Sequence, residues 1–181
     1  MGTFNWDWEN GGPPDDAYSR VTRDLAAVCG DFVAWLDRLP GELTTTYDCT
    51  VEADGLLTTI TPADAAASPL RLERRDHPGG GVVVTVAFGR CMRDWVSDCL
   101  CDACDGDSAE FIEAAEQLVA VVTGGFDEFR LDDGQGYRSA TRGAVSSWPS
   151  SPGEFFEVTW APWPAMPAGV TDVGGAPGSA G

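Results

Sequence analysis

Residues 82–105 have the sequence VVVTVAFGRCMRDWVSDCLCDACD, which joins the strongest strand pattern of the chain to four of its six cysteines. The first part, from Val82 to Phe88, is largely β-branched and apolar on both faces, a pattern typical of a central strand. The four cysteines that follow are Cys91, Cys99, Cys101 and Cys104. The sequence therefore predicts a group of thiols close to the end of a buried strand.

The spacing of these cysteines favours a metal site. Structural zinc is held tetrahedrally and prefers thiolates, and C-x-C and C-x-x-C spacings bring neighbouring sulfurs to one ion. We therefore predict one structural Zn2+ bound by Cys91, Cys99, Cys101 and Cys104, which would tether the sheet to the next helix. Free and partly buried thiols, a thiol–disulfide switch and a catalytic cysteine remain open alternatives at this point.

Acidic residues between the cysteines affect this site in two ways. Asp102 and Asp105 attract a cation, but nearby negative charge also raises thiol pKa values, so we expect sluggish thiols in the absence of a metal. A calcium loop of the EF-hand type is excluded, because placing Gly106 at loop position six puts Cys101 at position one and Ile112 at position twelve. The acids are better explained as charges near the start of a helix.

Two amphipathic helices are predicted on either side of this stretch. The first begins at Asp15–Asp16, repeats apolar residues at steps of three and four, and is expected to end at Pro40-Gly41. The second begins at the cap Asp107, with Glu110 completing a capping box, and ends at Gly124-Gly125.

The remaining segments predict strands. Residues 42–53 alternate between apolar and polar, and Asp54-Gly55 indicates a hairpin that pairs Ala53 with Leu56. Further strands are expected at 56–61, 70–76, 82–88, 137–148 and 154–160, while 126–131 is either a strand or a continuation of helix. We therefore predict an α+β fold with a mostly antiparallel sheet of about five to seven strands and two main helices packed on one face. The predicted domain organisation is an irregular arm at 1–14, a single domain at 15–160 and a flexible Pro/Gly/Ala-rich tail at 161–181.

The charge balance is strongly acidic. The chain carries 29 acids against 11 bases, which gives a net charge of -18, and every base is arginine. This disfavours nucleic acid as a partner, because nucleic-acid binding needs a basic face. A protein partner is expected instead, and a basic one would suit the charge. The N-terminal residues lack the pattern of a signal peptide and no apolar run reaches membrane-spanning length, so we expect no membrane association and a cytoplasmic location.

Sequence motifs of known enzymes are missing. The chain has one histidine, His77, which we expect to be a solvated loop residue, and it has no lysine. We therefore assign no catalytic residue. The function favoured by the sequence is a non-enzymatic acidic protein-binding module with a structural zinc–thiolate site. A carboxylate-based hydrolase and a thiol redox-responsive regulator are the alternatives.

Two short stretches carry a resemblance to other proteins. Tyr18-Ser19-Arg20-Val21-Thr22 opens the predicted first helix, and Cys99-Leu100-Cys101-Asp102-Ala103-Cys104-Asp105 precedes the acidic second helix. Together they resemble an uncharacterised family of small acidic proteins from GC-rich bacteria, over residues 15–40 and 91–131. The C-x-C-D-x-C-D segment is the most specific part. The resemblance implies a bacterial cytosolic protein with one domain, and it implies no activity.

Overall fold

The computed structural model describes residues 12–131, 134–147 and 154–167. A short 3-10 helix at Asp15–Ser19 comes first, followed by three α-helices and nine β-strands in the described residues. The helices are α1 (Leu25–Val28), α2 (Gly30–Thr46) and α3 (Ser108–Gly124). The strands are β1 (Cys49–Asp54), β2 (Leu57–Pro62), β3 (Leu70–Asp76), β4 (Val82–Phe88), β5 (Met92–Val96), β6 (Phe126–Leu131), β7 (Gly134–Ser139), β8 (Gly143–Ser147) and β9 (Phe156–Trp160).

The α+β class is confirmed, with two long helices of 17 residues each, α2 and α3. The strands form two sheets, where the sequence had suggested one. A five-stranded antiparallel sheet has the order β1-β2-β3-β4-β5, and a four-stranded sheet has the order β8-β7-β6-β9. The second sheet begins after α3, where Gly125 adopts a φ of +79° and its backbone lies against Pro162, so the chain turns away from the first sheet.

The predicted first helix is wrong at both ends. Residues 20–24 are not helical, and the long helix α2 begins at Gly30 and continues through Pro40 to Thr46. Proline inside a helix removes one backbone hydrogen bond. The helix continues because Leu43, which is buried, extends the apolar stripe of Leu39 by another turn. The threonine hydroxyls of this last turn also donate to helix carbonyl groups, as Thr45 does to Gly41 at 2.8 Å.

The predicted hairpin is present, but its register differs from the expected one. Asp54 pairs with Leu57, and Ala53 pairs with Thr58 rather than with Leu56. The turn is therefore at residues 55–56, where Gly55 has a φ of +58°. This shift of two residues keeps the same side chains on the same face of the strand.

The core lies between the first sheet and the two long helices. One continuous cluster of buried apolar side chains includes residues of both sheets and of α1, α2 and α3. Phe32 of α2 and Phe111 of α3 meet in it, with ring centroids 5.7 Å apart. Ser108 joins the helices, because its hydroxyl donates to Val28 O and accepts the Phe32 N–H at 3.2 Å. No helix in the described part of the chain is long and apolar enough to cross a membrane.

Residues 161–167, which fall in the predicted tail, pack against the body. Trp163 is buried, and its indole N–H donates to Ser68 O at 2.8 Å. Ala161 and Ala165 form isolated bridges to Ala67 and Tyr47. The Met166 N–H donates to Thr46 O at 3.0 Å, so the packed body reaches at least residue 166. Residues 1–11 of the predicted arm (1–14) and residues 168–181 of the predicted tail (161–181) lie outside the described residues.

Candidate metal centre

The loop between β5 and α3 carries three of the predicted ligands. It leaves the sheet at Ser97, whose backbone is in the left-handed region and whose hydroxyl donates to Val82 O at 2.7 Å. It ends at Asp107, which caps α3 by accepting the N–H groups of Ala109 and Glu110 in the predicted capping box. Both ends of the loop are therefore fixed by hydrogen bonds to regular structure.

The sulfurs of Cys99, Cys101 and Cys104 converge on one point. All three lie within 4.8 Å of one another, and the Cys99 and Cys101 sulfurs are 3.0 Å apart. Two thiolates on one tetrahedral zinc ion, each at about 2.3 Å from the metal, lie about 3.8 Å from each other. The Cys99–Cys101 separation is shorter than this distance and no pair of the three sulfurs exceeds 4.8 Å, so small side-chain movements would let them share a single ion.

Cys91 lies outside this group. It sits at the turn between β4 and β5, where its backbone N–H donates to Glu128 Oε1 at 2.8 Å. Burial, followed by the nearby Glu128 carboxylate, raises the pKa of the Cys91 thiol to about 11. The structure thus brings together three of the four predicted ligands and leaves Cys91 beside the second sheet.

Asp102 anchors the loop to the N-terminal segment. Its carboxylate is fully buried and accepts the backbone N–H of Thr22 at 2.9 Å, the Thr22 hydroxyl at 3.0 Å and the Arg20 Nε–H at 2.9 Å. The backbone N–H of Asp102 donates in turn to Arg20 O at 2.8 Å. These contacts keep residues 20–22 extended, which explains why the predicted helix is interrupted there.

A second ion pair holds the other end of the loop. Arg23 Nη1 lies 3.0 Å from Asp105 Oδ1, with both side chains only 10–11% exposed. The same nitrogen donates to Gly106 O at 2.9 Å. Asp102 and Asp105 are therefore paired with arginines, and their negative charge is compensated locally.

The thiols influence one another more than the acids influence them. Burial raises the pKa of Cys101, but hydrogen bonds from Cys99 and from the backbone and thiol of Cys104 outweigh it, so the net pKa is lowered. Hydrogen bonding to Cys99 and then burial raise the pKa of Cys104 to about 12. The expectation that nearby acids make all these thiols sluggish is thus wrong for Cys101. One sulfur is predisposed to carry negative charge, with two others beside it, an arrangement suited to a cation.

The other candidate residues lie elsewhere. Cys29 is buried in the main core and Cys49 is partly buried beside it. His77 is half-buried in the turn before β4, where its Nδ1 accepts the Gly79 N–H at 3.1 Å. It is not among the three residues of the sulfur cluster.

Sequence reasoning missed the residues that position the loop, namely Arg20, Thr22 and Arg23. Their contacts to the loop span about 80 positions of sequence, so no local pattern reveals them. The one available signal was the resemblance, which singled out 18–22 and 99–105 as two separate stretches. In the structure these stretches are in direct contact through Asp102.

Comparison with known proteins gives a family but no activity. A family model described as a family of unknown function (DUF6226) matches residues 2–167. This match covers nearly the whole chain and confirms the expectation of an uncharacterised family. No curated protein and no solved structure matches the chain.

Proposed function

We propose that this chain, which belongs to the DUF6226 family of unknown function, is a metal-binding protein whose loop holds one zinc ion through Cys99, Cys101 and Cys104. The observation that carries the proposal is the convergence of three sulfurs within 4.8 Å. Thiolates select soft or borderline ions such as zinc over magnesium or calcium, which prefer oxygen.

The surroundings of the sulfurs support a structural role for the ion. Cys101 and Ala103 form a small buried cluster with Ala17, separate from the main core, and Cys99 packs against it. So few apolar side chains bury too little area to hold a loop against the N-terminal segment. A metal bridging three sulfurs would add to the hydrogen bonds of Asp102 and the ion pair of Asp105, because a ligand that binds only the folded form favours folding.

The fourth ligand position faces solvent in this proposal. Cys104 is exposed, whereas Cys101 is buried, and the described residues contribute three ligand atoms to the cluster. Water is the simplest occupant of the fourth position. The expectation of a basic protein partner rests on net charge alone and stays a prediction.

Metal analysis of the purified chain tests the proposal. We expect about one zinc per chain, and loss of that zinc in Cys99→Ser, Cys101→Ser and Cys104→Ser. Cys91→Ser and Cys49→Ser are matched controls that should keep it, and Cys91→Ser also distinguishes the structural ligand set from the sequence-predicted one. Wild-type protein without metal, even after refolding in zinc, would refute the proposal. Equal loss of zinc in Cys91→Ser and Cys104→Ser would refute the three-sulfur ligand set.

A further inference from the structure

We infer that the three-sulfur loop is a redox-sensitive metal site, in which a hydroperoxide oxidises Cys104, a neighbouring sulfur closes a disulfide, and the zinc ion is released. This inference rests on the proposed zinc site and adds its regulation. It is carried by three geometric features of the loop: the distances between the sulfurs, their unequal exposure, and the contacts that hold the loop without using sulfur.

The distances allow a disulfide to form without rebuilding the loop. A disulfide has an S–S length of about 2.05 Å. The Cys99 and Cys101 sulfurs are already 3.0 Å apart, and Cys104 lies within 4.8 Å of both. Rotation of side chains can close the remaining gap of one to three ångströms.

The exposure of the three thiols defines an order of reaction. Cys104 is exposed, Cys99 is half-buried and Cys101 is 7% exposed. In the zinc-bound site all three sulfurs are thiolates, so exposure decides the order and a hydroperoxide reaches Cys104 first. Cys29, Cys49 and Cys91 lie outside the cluster, so the second sulfur comes from Cys99 or Cys101.

The chemical steps balance with the hydroperoxide as the oxidant. The Cys104 thiolate attacks the terminal oxygen of ROOH, the O–O bond breaks, and the alkoxide leaves and is protonated to ROH, giving Cys104–SOH. A second thiolate of the loop attacks the Cys104 sulfur, an S–S bond forms, and hydroxide leaves and is protonated to water. Two thiolates have lost two electrons in total, and the peroxide bond has accepted them. One thiolate is left for zinc, which is too few to hold it.

The loop keeps its position after the zinc ion is released. Asp102 keeps its bonds to Thr22 and Arg20, and Asp105 keeps its ion pair with Arg23, because none of these contacts involves sulfur. The sulfurs therefore stay close enough for a dithiol reductant to restore the site. Reversible release is the behaviour expected of a switch, as opposed to damage.

The experiment treats the zinc-loaded full chain with tert-butyl hydroperoxide and follows zinc with a chromogenic chelator while free thiols are counted. We expect release of the bound zinc with loss of two thiols per chain, and recovery of both after a dithiol reductant and fresh zinc. Peptide mapping should find the disulfide within residues 99–104. Cys91→Ser and Cys49→Ser should behave as the wild type does.

A second arm adds dimedone, which traps sulfenic acids, together with the hydroperoxide to the zinc-loaded chain. The trap should label Cys104 rather than Cys99 or Cys101. Zinc that stays bound after hydroperoxide treatment would overturn the inference and leave the zinc site intact. A disulfide that includes Cys29, Cys49 or Cys91, or trapped sulfenic acid on Cys99 or Cys101 in place of Cys104, would also overturn it. Absence of zinc at the start would instead count against the proposed function.

Discussion

Replacement of Asp102 by asparagine tests the anchor of the cysteine loop. Asp102 is fully buried, and the hydrogen bonds that its carboxylate accepts include those from the Thr22 N–H, the Thr22 hydroxyl and Arg20 Nε–H, at 2.9, 3.0 and 2.9 Å. Asparagine has nearly the same shape, but it has one acceptor oxygen and turns an NH2 group toward donors. At least one bond to a charged acceptor is lost, and such a bond contributes about 1.5–3 kcal/mol.

Contact of Arg20 with solvent reduces the free energy that is lost with this hydrogen bond. The Arg20 side chain is 41% exposed, so water can replace part of its interaction with the carboxylate. We therefore expect Asp102→Asn to lower the free energy of unfolding by about 1–2 kcal/mol. The same loop positions the sulfurs, so zinc affinity should fall as well, by about tenfold for each 1.4 kcal/mol.

The pKa of Asp102 determines how the destabilisation by Asp102→Asn changes with pH. Burial raises the pKa of Asp102, but hydrogen bonds from Thr22 and Arg20 lower it by a larger amount, so the folded-state pKa lies below the ordinary value of 3.8. A depressed pKa adds stability above the unfolded-state pKa, and this stability is lost as the pH falls through the folded-state pKa. The difference between wild type and Asp102→Asn should therefore be constant near neutral pH and should shrink below about pH 4.

Urea unfolding at several pH values measures this difference. The exposed neighbour Asp98 provides the control, because Asp98→Asn removes the same charge from the same loop without removing the buried contacts. A loss in Asp102→Asn equal to that in Asp98→Asn at neutral pH would refute the anchoring role. A difference that grows as the pH falls would refute the assigned direction of the pKa shift.

Two further substitutions test the fold around the site. Glu128 is buried and accepts the N–H groups of Arg90, Cys91 and the Trp160 indole at 2.7–2.9 Å. Glu128→Gln should leave one of these donors without a partner and lower the free energy of unfolding in urea by about 2–4 kcal/mol. A smaller loss than in the surface control Glu116→Gln would contradict this. Pro40 lies inside α2. Pro40→Ala should therefore restore a helix hydrogen bond and raise the free energy of unfolding by about 1–3 kcal/mol. A lower urea midpoint would show instead that the helix depends on the proline.

Local patterns were sufficient for much of the fold. The capping box at Asp107 and Glu110 and the central strand at 82–88 depend on residues close in sequence, and both are present. The end of the first helix was misplaced because burial of Leu43 outweighs the effect of Pro40, and burial is a property of the whole fold. The division into two sheets depends on strand pairings across the chain, which alternation alone does not specify.

In the candidate site, too, contacts within one loop could be predicted from the sequence, whereas contacts between distant segments could not. Cys99, Cys101 and Cys104 were predicted together because one short loop carries them, and their sulfurs do converge. Cys91 is eight residues before Cys99 and lies at the far end of β5, so a strand of extended backbone separates it from the loop. The arginines that clamp the loop come from the N-terminal segment and had no local signal.

The buried carboxylate of Glu128 links the two sheets, and this determines whether either sheet could fold as a separate fragment. It belongs to the second sheet, yet two of its three partners are backbone groups of the turn in the first, and Gly89 in that turn lies so close that an added Cβ would overlap it. A fragment that stops at the end of α3 would leave these N–H groups uncompensated and would uncover Phe88, whose ring meets Phe126 and Tyr137. The two sheets should therefore melt in one cooperative transition, and neither half is expected to be an autonomous folding unit.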